Sequence, residues 1–224
     1  MNPTIDLLKS HRSIRQFTDQ PIADDLFEQL IFAGQAAASS SFLQGVTVIR
    51  ISDAAKRDKL AELAGNQAYV RSAAEFLVFC ADLNRSAQCC HWHGKVANTG
   101  FTEQFIIATV DAALMAQNVC VAAESAGLGI CYIGALRNHP DEVAELLNLP
   151  ENAYAVFGLC VGWPAQSPEV KPRLPLEILV HENSYKLEHE PEVLEDYDAI
   201  IKRYYESRTD NPKSITWSEQ MSGL

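Results

Sequence analysis

The stretch FIIATVDAALMAQNVCVAAESAGLG, residues 105–129, decides the fold class of this chain. It is apolar on nearly every side and rich in alanine. The pattern predicts a helix over residues 102–126, which has to be buried on most faces, as a central helix or at a subunit interface. Four polar residues interrupt it and argue against a membrane span: Asp111, Gln117, Asn118 and Glu124.

Shorter strands and helices alternate irregularly on both sides of this helix. VTVIRIS (46–52) and AEFLVFCAD (74–82) are rich in β-branched and apolar residues and predict strands, as does AYAVFGLCVGWP (153–164). ADDLFEQLIFAGQAAA (23–38) predicts an amphipathic helix with acidic residues at its start. The fold class is therefore predicted to be α+β, with one long buried helix.

Two stretches are predicted to lack regular structure. CCHWHGKVANTG (89–100) shows no helical or strand period, and AQSPEVKPRLPLEILVHENSY (165–185) is punctuated by proline. After the second stretch, the acidic and tyrosine-rich LEDYDAIIKRYYESR (194–208) predicts a helix.

Composition and charge exclude several classes of protein. The chain has 224 residues, and 18 Lys and Arg against 29 Asp and Glu give a formal net charge of −11. An acidic protein is not expected to bind nucleic acid. The start of the chain does not have the order of a signal peptide, and six scattered cysteines then indicate reduced thiols in the cytoplasm.

Two groups of basic residues stand out against this acidic background. HRSIRQF places His11, Arg12 and Arg15 around Ser13, a set of donors that suits a phosphate group. KPRLP holds Lys171 and Arg173 on a loop stiffened by prolines. Taken alone, the first group is equally well a solvated turn, and the second is more simply a basic surface loop.

Three further stretches carry possible chemistry. AGLGICYIGALRN does not match the dinucleotide-binding fingerprint, because its glycines follow a predicted helix, whereas the fingerprint follows a strand. The glycine-rich backbone could instead let a flat ring approach closely. Alternatively, it only ends the helix and begins a buried strand. The serine triplet of SSSFLQ is either loop punctuation or a set of hydrogen-bond donors. Adjacent cysteines without a distant second pair fit a zinc site poorly, so no metal is predicted at CCHWH, which comprises Cys89, Cys90, His91 and His93.

Taken together and in order, these stretches resemble the FMN-binding family of oxygen-insensitive NADPH nitroreductases and flavin reductases. The resemblance runs over nearly the whole chain and is specific because the motifs keep their order. It rests on HRSIRQFTDQPI, SSSFLQ, AEFLVFCAD, MAQN, AAESAGLG, YIGALRN, FGLCVGWP, KPRLP, VHENSY and YY..R.

The resemblance implies which residues bind FMN. Those of HRSIR and KPR would hold the phosphate and ribityl end, the serines and Gln67 would line the flavin, and residues 132–135 would run beside the isoalloxazine ring. Ala135 stands where the family commonly has glycine. The implied set is His11, Arg12, Ser13, Arg15, Ser39, Ser40, Ser41, Gln67, Tyr132, Ile133, Gly134, Ala135, Lys171 and Arg173.

The same resemblance implies the activity. NADPH would give a hydride to flavin N5 and leave, and a nitroaromatic, quinone or free flavin would then accept the electron pair in a ping-pong sequence. Arg208 and Lys213 match positions that bind the 2′-phosphate of NADPH, although the second is usually arginine. No catalytic side chain is assigned with certainty, and Ser41, Arg15 and Glu103 would lie near the substrate face.

The family architecture completes these expectations. It implies a nitroreductase-like fold with a central, mostly antiparallel sheet, and a homodimer. We expect one FMN-binding domain over residues 1–224, with an extended C-terminal excursion over about residues 164–224. Close relatives continue past the position of Leu224, so contacts from that arm are expected to be missing or replaced.

Two alternatives from other functional classes stay open at this stage. The first is a protein that binds or delivers FMN without efficient turnover. The second is a redox or metal sensor that works through the CCHWH segment. Sequence does not separate a nitroreductase from a flavin reductase, because both reduce whatever lies on the ring.

Overall fold

The computed structural model of the chain describes residues 2–186, 191–208 and 211–223. It divides into two compact units, Met1–Pro168 and Glu169–Leu224. The helices are α1 (Pro3–Lys9), α2 (Asp24–Gln35), α3 (Ala54–Leu63), α4 (Ala68–Ser72), α5 (Asn84–Trp92), α6 (Thr102–Ser125), α7 (Pro140–Leu147), α8 (Leu176–Leu179), α9 (Pro191–Glu206) and α10 (Trp217–Met221). The strands are β1 (Val46–Arg50), β2 (Glu75–Asp82), β3 (Gly129–Ile133) and β4 (Ala153–Gly162).

The first unit is built on a four-stranded sheet in the order β1-β2-β4-β3. All three neighbouring pairs are antiparallel. Strand β2 is apolar on both faces because both are covered: Phe76 and Val78 join a core with α3 and α7, whereas Leu77 and Phe79 join a core with α2 and α6. The predicted α+β class with an antiparallel central sheet is confirmed.

Helix α6 is the long helix that the sequence predicts. One face is buried against α2 and the sheet, through residues such as Ala112, Ala116 and Val119. The opposite face exposes an apolar stripe, so burial within the chain is less complete than the composition suggested. Its length and mean hydropathy of 1.7 would suffice to cross a membrane, but its packing and the hydrogen-bonded carboxylate of Asp111 in its buried face are those of a core helix.

The two stretches predicted to be irregular each contain a helix. Helix α5 covers Asn84–Trp92, where Gln88 and Asn84 hydrogen-bond one turn apart; it has no buried residue, so it leaves no apolar period in the sequence. Helix α8 is a single turn that follows Pro175, a position at which proline is compatible with a helix start. Residues 93–100 are irregular, as predicted.

The second unit has its own small core. Tyr197, Ile201 and Tyr205 on α9 are buried together, and Trp217 of α10 packs against them. The hydroxyl of Tyr197 donates to the carbonyl of Pro172 at 3.1 Å. This bond attaches the basic loop KPRLP, which contains Pro172, to α9.

A close backbone approach sets residues 11–15, hereafter the basic segment, against β3. The amide of Ile14 donates to the carbonyl of Ile130 at 2.8 Å, and the Ile14 side chain is buried. A Cβ added at Gly129 would lie 2.5 Å from Cγ1 and 2.7 Å from Cβ of Ile14. Only glycine at position 129 allows this approach.

We therefore expect Gly129→Ala to destabilise the first unit by about 1–3 kcal/mol, because the branched Ile14 side chain cannot give way without moving the basic segment. Urea unfolding followed by circular dichroism measures the loss. Gly223→Ala is the control, since its Cβ would meet nothing closer than 3.8 Å. Equal unfolding midpoints for wild type and Gly129→Ala would contradict the packing described.

Candidate functional site

The basic segment presents two arginines on a fixed backbone. Ser13 pairs with Ile130 beside the start of β3, and the burial of Ile14 anchors the segment between Arg12 and Arg15. Both arginines are exposed, and neither pairs with a carboxylate among the described residues. Burial raises the pKa of Tyr69, just after Gln67 at the start of α4, and the positive charge of nearby Arg15 opposes that rise. The segment therefore holds positive charge that acidic side chains of the described chain leave unneutralised.

His11 differs from its neighbours because it has a carboxylate partner. Its Nδ1 lies 2.6 Å from Oε1 of Glu124, near the end of α6. The two side chains are 28% and 13% exposed, so the contact is partly shielded from water. A carboxylate only accepts, so Nδ1 has to carry a proton. Glu124 thereby fixes the ring orientation and directs Nε2 away from α6.

Tyr132 lies beside the same end of α6. Burial raises the pKa of Tyr132 well above its ordinary value, and neighbouring Cys120 and Glu124 raise it further. The ring packs edge-on against Phe157, with centroids 4.9 Å apart. Tyr132 is therefore a neutral phenol under ordinary conditions, held at the side of β3. Residues 134–138 continue from β3 as a 3₁₀ turn, so Gly134 and Ala135 lie directly after the end of the strand.

The serine loop, which we define as residues 39–45, is anchored to the middle of α6. The Ser39 hydroxyl donates to Oδ2 of Asp111 at 2.7 Å, and the amide of Gly45 donates to the same oxygen at 2.9 Å. The amide of Ser40 lies 3.3 Å from Oδ1. Asp111 is only 3% exposed. The sequence placed Asp111 in the long helix without a role, and nothing in the spacing of the two segments indicated this contact.

One copy of the first unit does not gather all the predicted residues in one place. An α-helix rises about 1.5 Å per residue, so about 20 Å along α6 separate Asp111 from Glu124, and about 30 Å separate Glu103 from Glu124. His11 lies at the Glu124 end, and the serine loop at Asp111. Glu103 is exposed in the first turn of α6. The serines and the basic segment are therefore anchored at different points of the helix.

A cavity of about 530 Å³ opens between the outer face of α6 and the strands β3 and β4. It brings the predicted Tyr132 and Gly134 beside the exposed apolar stripe of α6. Arg137 is at its edge, with Nη1 donating to the carbonyl of Val156 at 2.7 Å. The sequence reasoning missed most of its lining, although the apolar spacing on α6 was a usable signal. The lining residues are Val110, Ala113, Leu114, Gln117, Tyr132, Gly134, Arg137 and Phe157.

In the second unit, two predicted cations, Lys171 and Arg208, lie beside Tyr205, which the sequence analysis named only within the YY..R motif. Lys171 Nζ donates to the Tyr205 hydroxyl at 2.6 Å, and the Arg208 guanidinium lies 5.8 Å from the ring centroid. The amide of Lys213 donates to the Tyr205 carbonyl at 3.2 Å. Burial acts to raise the pKa of Tyr205, but the hydrogen bond and charge of Lys171 outweigh it and the pKa is lowered. Arg173 lies near Tyr197 instead.

The cysteines of the CCHWH segment lie on or at the end of α5. Cys89 is exposed and Cys90 half-buried, and His91 and His93 are exposed. Within residues 2–186, 191–208 and 211–223, no three His, Cys, Asp or Glu side chains converge in a group that could hold a metal ion.

Known proteins match this chain along its whole length. Residues 8–163 match the Nitroreductase family model and residues 171–224 the model of the Nitroreductase family C-terminal domain. The NADPH-flavin oxidoreductase of Vibrio harveyi is 51% identical, over 100% of this chain and 91% of its own. The oxygen-insensitive NADPH nitroreductase of Salmonella typhimurium is 49% identical, over 99% and 90%.

A solved structure shares the fold. The NADPH:FMN oxidoreductase of Vibrio harveyi in complex with NAD+ superimposes with a TM-score of 0.91, at 49% identity, over 99% of this chain and 90% of that one. The predicted family resemblance is confirmed by these matches.

The six free cysteines predict a simple reactivity pattern. Burial raises the pKa of Cys80 and Cys120 to about 12 and also raises the pKa of Cys131 and Cys160. At about pH 8 these four stay protonated and unreactive, because the thiolate is the nucleophile. We expect Ellman's reagent to titrate two thiols rapidly in the native protein, Cys89 and Cys90, and all six in denaturant.

Cys89→Ser is the matched control and should remove one rapid thiol. A third rapid thiol in the native protein, at any reagent concentration that leaves the fold intact, would contradict the burial described.

Proposed function

Because the chain belongs to the nitroreductase family, we propose that it is an FMN-dependent NADPH oxidoreductase that delivers electron pairs to nitroaromatics, quinones or free flavins. The observation that carries the proposal is the match to NADPH-flavin oxidoreductase and NADPH nitroreductase relatives over the full length of the chain. The ordered motifs, from the basic segment to the residues around Tyr205, all lie within that match.

The basic segment is the proposed anchor for the FMN phosphate. A phosphomonoester carries nearly two negative charges and is best held by forked guanidinium donors. Arg12 and Arg15 are exposed, without a carboxylate partner in the described chain, on a backbone that Ile14 fixes. The donors present therefore fit the group. Ser13 and His11 complete the segment, with Glu124 setting the orientation of the His11 ring.

Other residues are proposed for the remaining parts of the cofactors. When bound, FMN supplies the ring that accepts a hydride and passes it on, while the protein positions and shields it. We propose that FMN is held by Lys171 and Arg173 and that the flavin is lined by Ser39–41, Gln67 and residues 132–135. The 2′-phosphate of NADPH is proposed to bind Arg208 and Lys213. The residues proposed to face the substrate are Ser41, Arg15 and Glu103. Residues 164–224 are proposed to extend the same FMN-binding domain.

We further propose that two copies pair through the apolar stripe of α6. Ile106, Val110 and Leu114 lie one turn apart and are 48%, 47% and 41% exposed. An isologous contact suits one self-complementary stripe. With the two α6 helices antiparallel and the contact centred on Val110, Ile106 of one copy would face Leu114 of the other.

The two alternative functions receive less support. A non-catalytic flavin carrier is not favoured, because the relatives are named as oxidoreductases and reductases. A metal sensor at CCHWH has no converging ligand set in the described residues. A cytoplasmic location is proposed from the six free cysteines.

The purified protein is expected to be yellow, or to become so on addition of FMN. Its flavin absorption band at about 450 nm should bleach when NADPH is added. It should oxidise NADPH steadily with nitrofurazone or menadione as acceptor. A protein that stays colourless after reconstitution would overturn the proposal, and one that binds FMN but does not consume NADPH would be a carrier.

Arg208→Ala tests the proposed NADPH contact. We expect kcat/KM for NADPH to fall by about tenfold to a hundredfold, because a charge-assisted contact to a phosphate is lost, with little change for NADH. Arg203→Ala, at an exposed position of α9, is the matched control. Equal losses with both nucleotides would argue against a 2′-phosphate contact.

Leu114→Glu tests the pairing. A charge in a buried apolar interface lacks a partner, so the variant should elute as a monomer in size-exclusion chromatography, whereas the wild type elutes as a dimer. Ala55→Glu, on the exposed side of α3, adds the same charge as a control. A wild type that elutes as a monomer would remove this part of the proposal.

A further inference from the structure

We propose that Ser39 and Asp111 are positioning residues that hold the serine loop in the shape the flavin requires, and that Ser40 and Ser41 alone of the three serines offer their hydroxyls to the flavin. The inference rests on the proposed function, since it divides labour within that site. It separates three neighbouring residues of one type by what their side chains contact.

The Ser39 hydroxyl is already engaged within the chain. A serine hydroxyl has one donor hydrogen and two acceptor lone pairs. The donor goes to Oδ2 of Asp111 at 2.7 Å, and the oxygen accepts the amide hydrogen of Gln44 at 2.7 Å. No donor is left for a flavin carbonyl or ring nitrogen.

The loop needs such an anchor because its backbone is strained. Ser41, Phe42 and Gln44 have φ values of 49°, 56° and 52°, in the left-handed region that side chains other than glycine rarely adopt. A short run of such residues persists only when surrounding contacts over-determine it, and strain of this kind gathers at functional sites. Phe42 is 79% exposed, so its own side-chain packing does not supply the hold.

Asp111 supplies the hold by closing both ends of the loop. It accepts from Ser39 and Ser40 at the start and from Gly45 at the end. A buried carboxylate with three donors makes charge-assisted bonds, which are stronger than neutral ones. A Cβ at Gly45 would lie 3.4 Å from that of Ala108, so the loop end rests directly on α6.

Ser40 and Ser41 differ from Ser39 in this respect. Both are exposed, and neither hydroxyl makes a hydrogen bond to another residue in the described parts of the chain. Their donors remain available to a ligand. The left-handed backbone at Ser41 sets the direction in which the side chains of Ser40 and Ser41 project from the loop, which explains why the strain is kept.

Single-serine variants separate the roles through two measurements on the full chain. Hydrogen–deuterium exchange of residues 40–45, without added FMN, reports the order of the loop. FMN titration, followed by quenching of flavin fluorescence, reports affinity. Ser39→Ala should speed exchange about fivefold to tenfold and raise the dissociation constant for FMN about tenfold, because the loop loses its internal bonds. Ser40→Ala and Ser41→Ala should weaken FMN binding without changing exchange.

Conservative variants sharpen the test. Ser39 has extended backbone angles, φ −137° and ψ 138°, which suit threonine, so Ser39→Thr should restore both measurements towards wild type. Asp111→Asn replaces one accepting oxygen by an NH₂ group, which cannot accept the hydrogen bonds that the loop donates. The variant should therefore show the same faster exchange of residues 40–45 as Ser39→Ala. If Asp111→Asn does not fold, the Ser39 variants still decide.

Unchanged exchange in Ser39→Ala would overturn the inference, whatever its FMN affinity. Faster exchange in Ser40→Ala or Ser41→Ala equal to that of Ser39→Ala would also overturn it. A wild type that binds no FMN would refute the proposed function instead, while the exchange contrast would still report whether Ser39 holds the loop.

Discussion

The structure depends on one helix that is apolar on two faces for two different reasons. The inner face of α6 packs on α2 and the sheet and completes the larger core on that side. The outer face carries an apolar stripe and the wall of the 530 Å³ cavity. Because both faces are apolar, the composition does not distinguish the inner face of α6 from the outer one. Only the position of the sheet decides which residues of α6 stay in contact with water.

Carboxylates on α6 then organise the site residues. Asp111 is buried and fixes the serine loop, and Glu124 fixes the ring of His11. A buried carboxylate without donors would be costly, and here the bonds that satisfy Asp111 are also those that shape a loop with three left-handed residues. The basic segment is placed by packing instead, through Ile14 against Gly129. Charge thus positions the serine loop and the ring of His11, and close packing positions the backbone of the basic segment.

The second unit shows how tertiary contacts regroup residues that sequence assigns separately. Lys171 was assigned to one cofactor and Arg208 to another, yet both side chains lie beside Tyr205, and the backbone amide of Lys213 donates to the Tyr205 carbonyl. Tyr205 has no charge and belongs to the apolar period of α9, so its sequence position reads as core. Its lowered pKa records the positive charge around it.

By itself, the sequence determined the fold class, the long helix, the strands β1, β2 and β4, and the family, because period, β-branched composition and ordered motifs are local properties of the chain. It also determined which cations to consider, since basic residues are conspicuous in a chain of net charge −11. Only the tertiary structure decided that Ser39 is bonded to Asp111, that Glu124 faces His11 and that α5 forms without an apolar period. These depend on contacts between residues far apart in sequence, or on exposed polar turns, and neither leaves a periodic signal. The approach of Ile14 to Gly129 is of the same kind. The need for glycine at position 129 is evident only when the residue that packs against it, Ile14, is known.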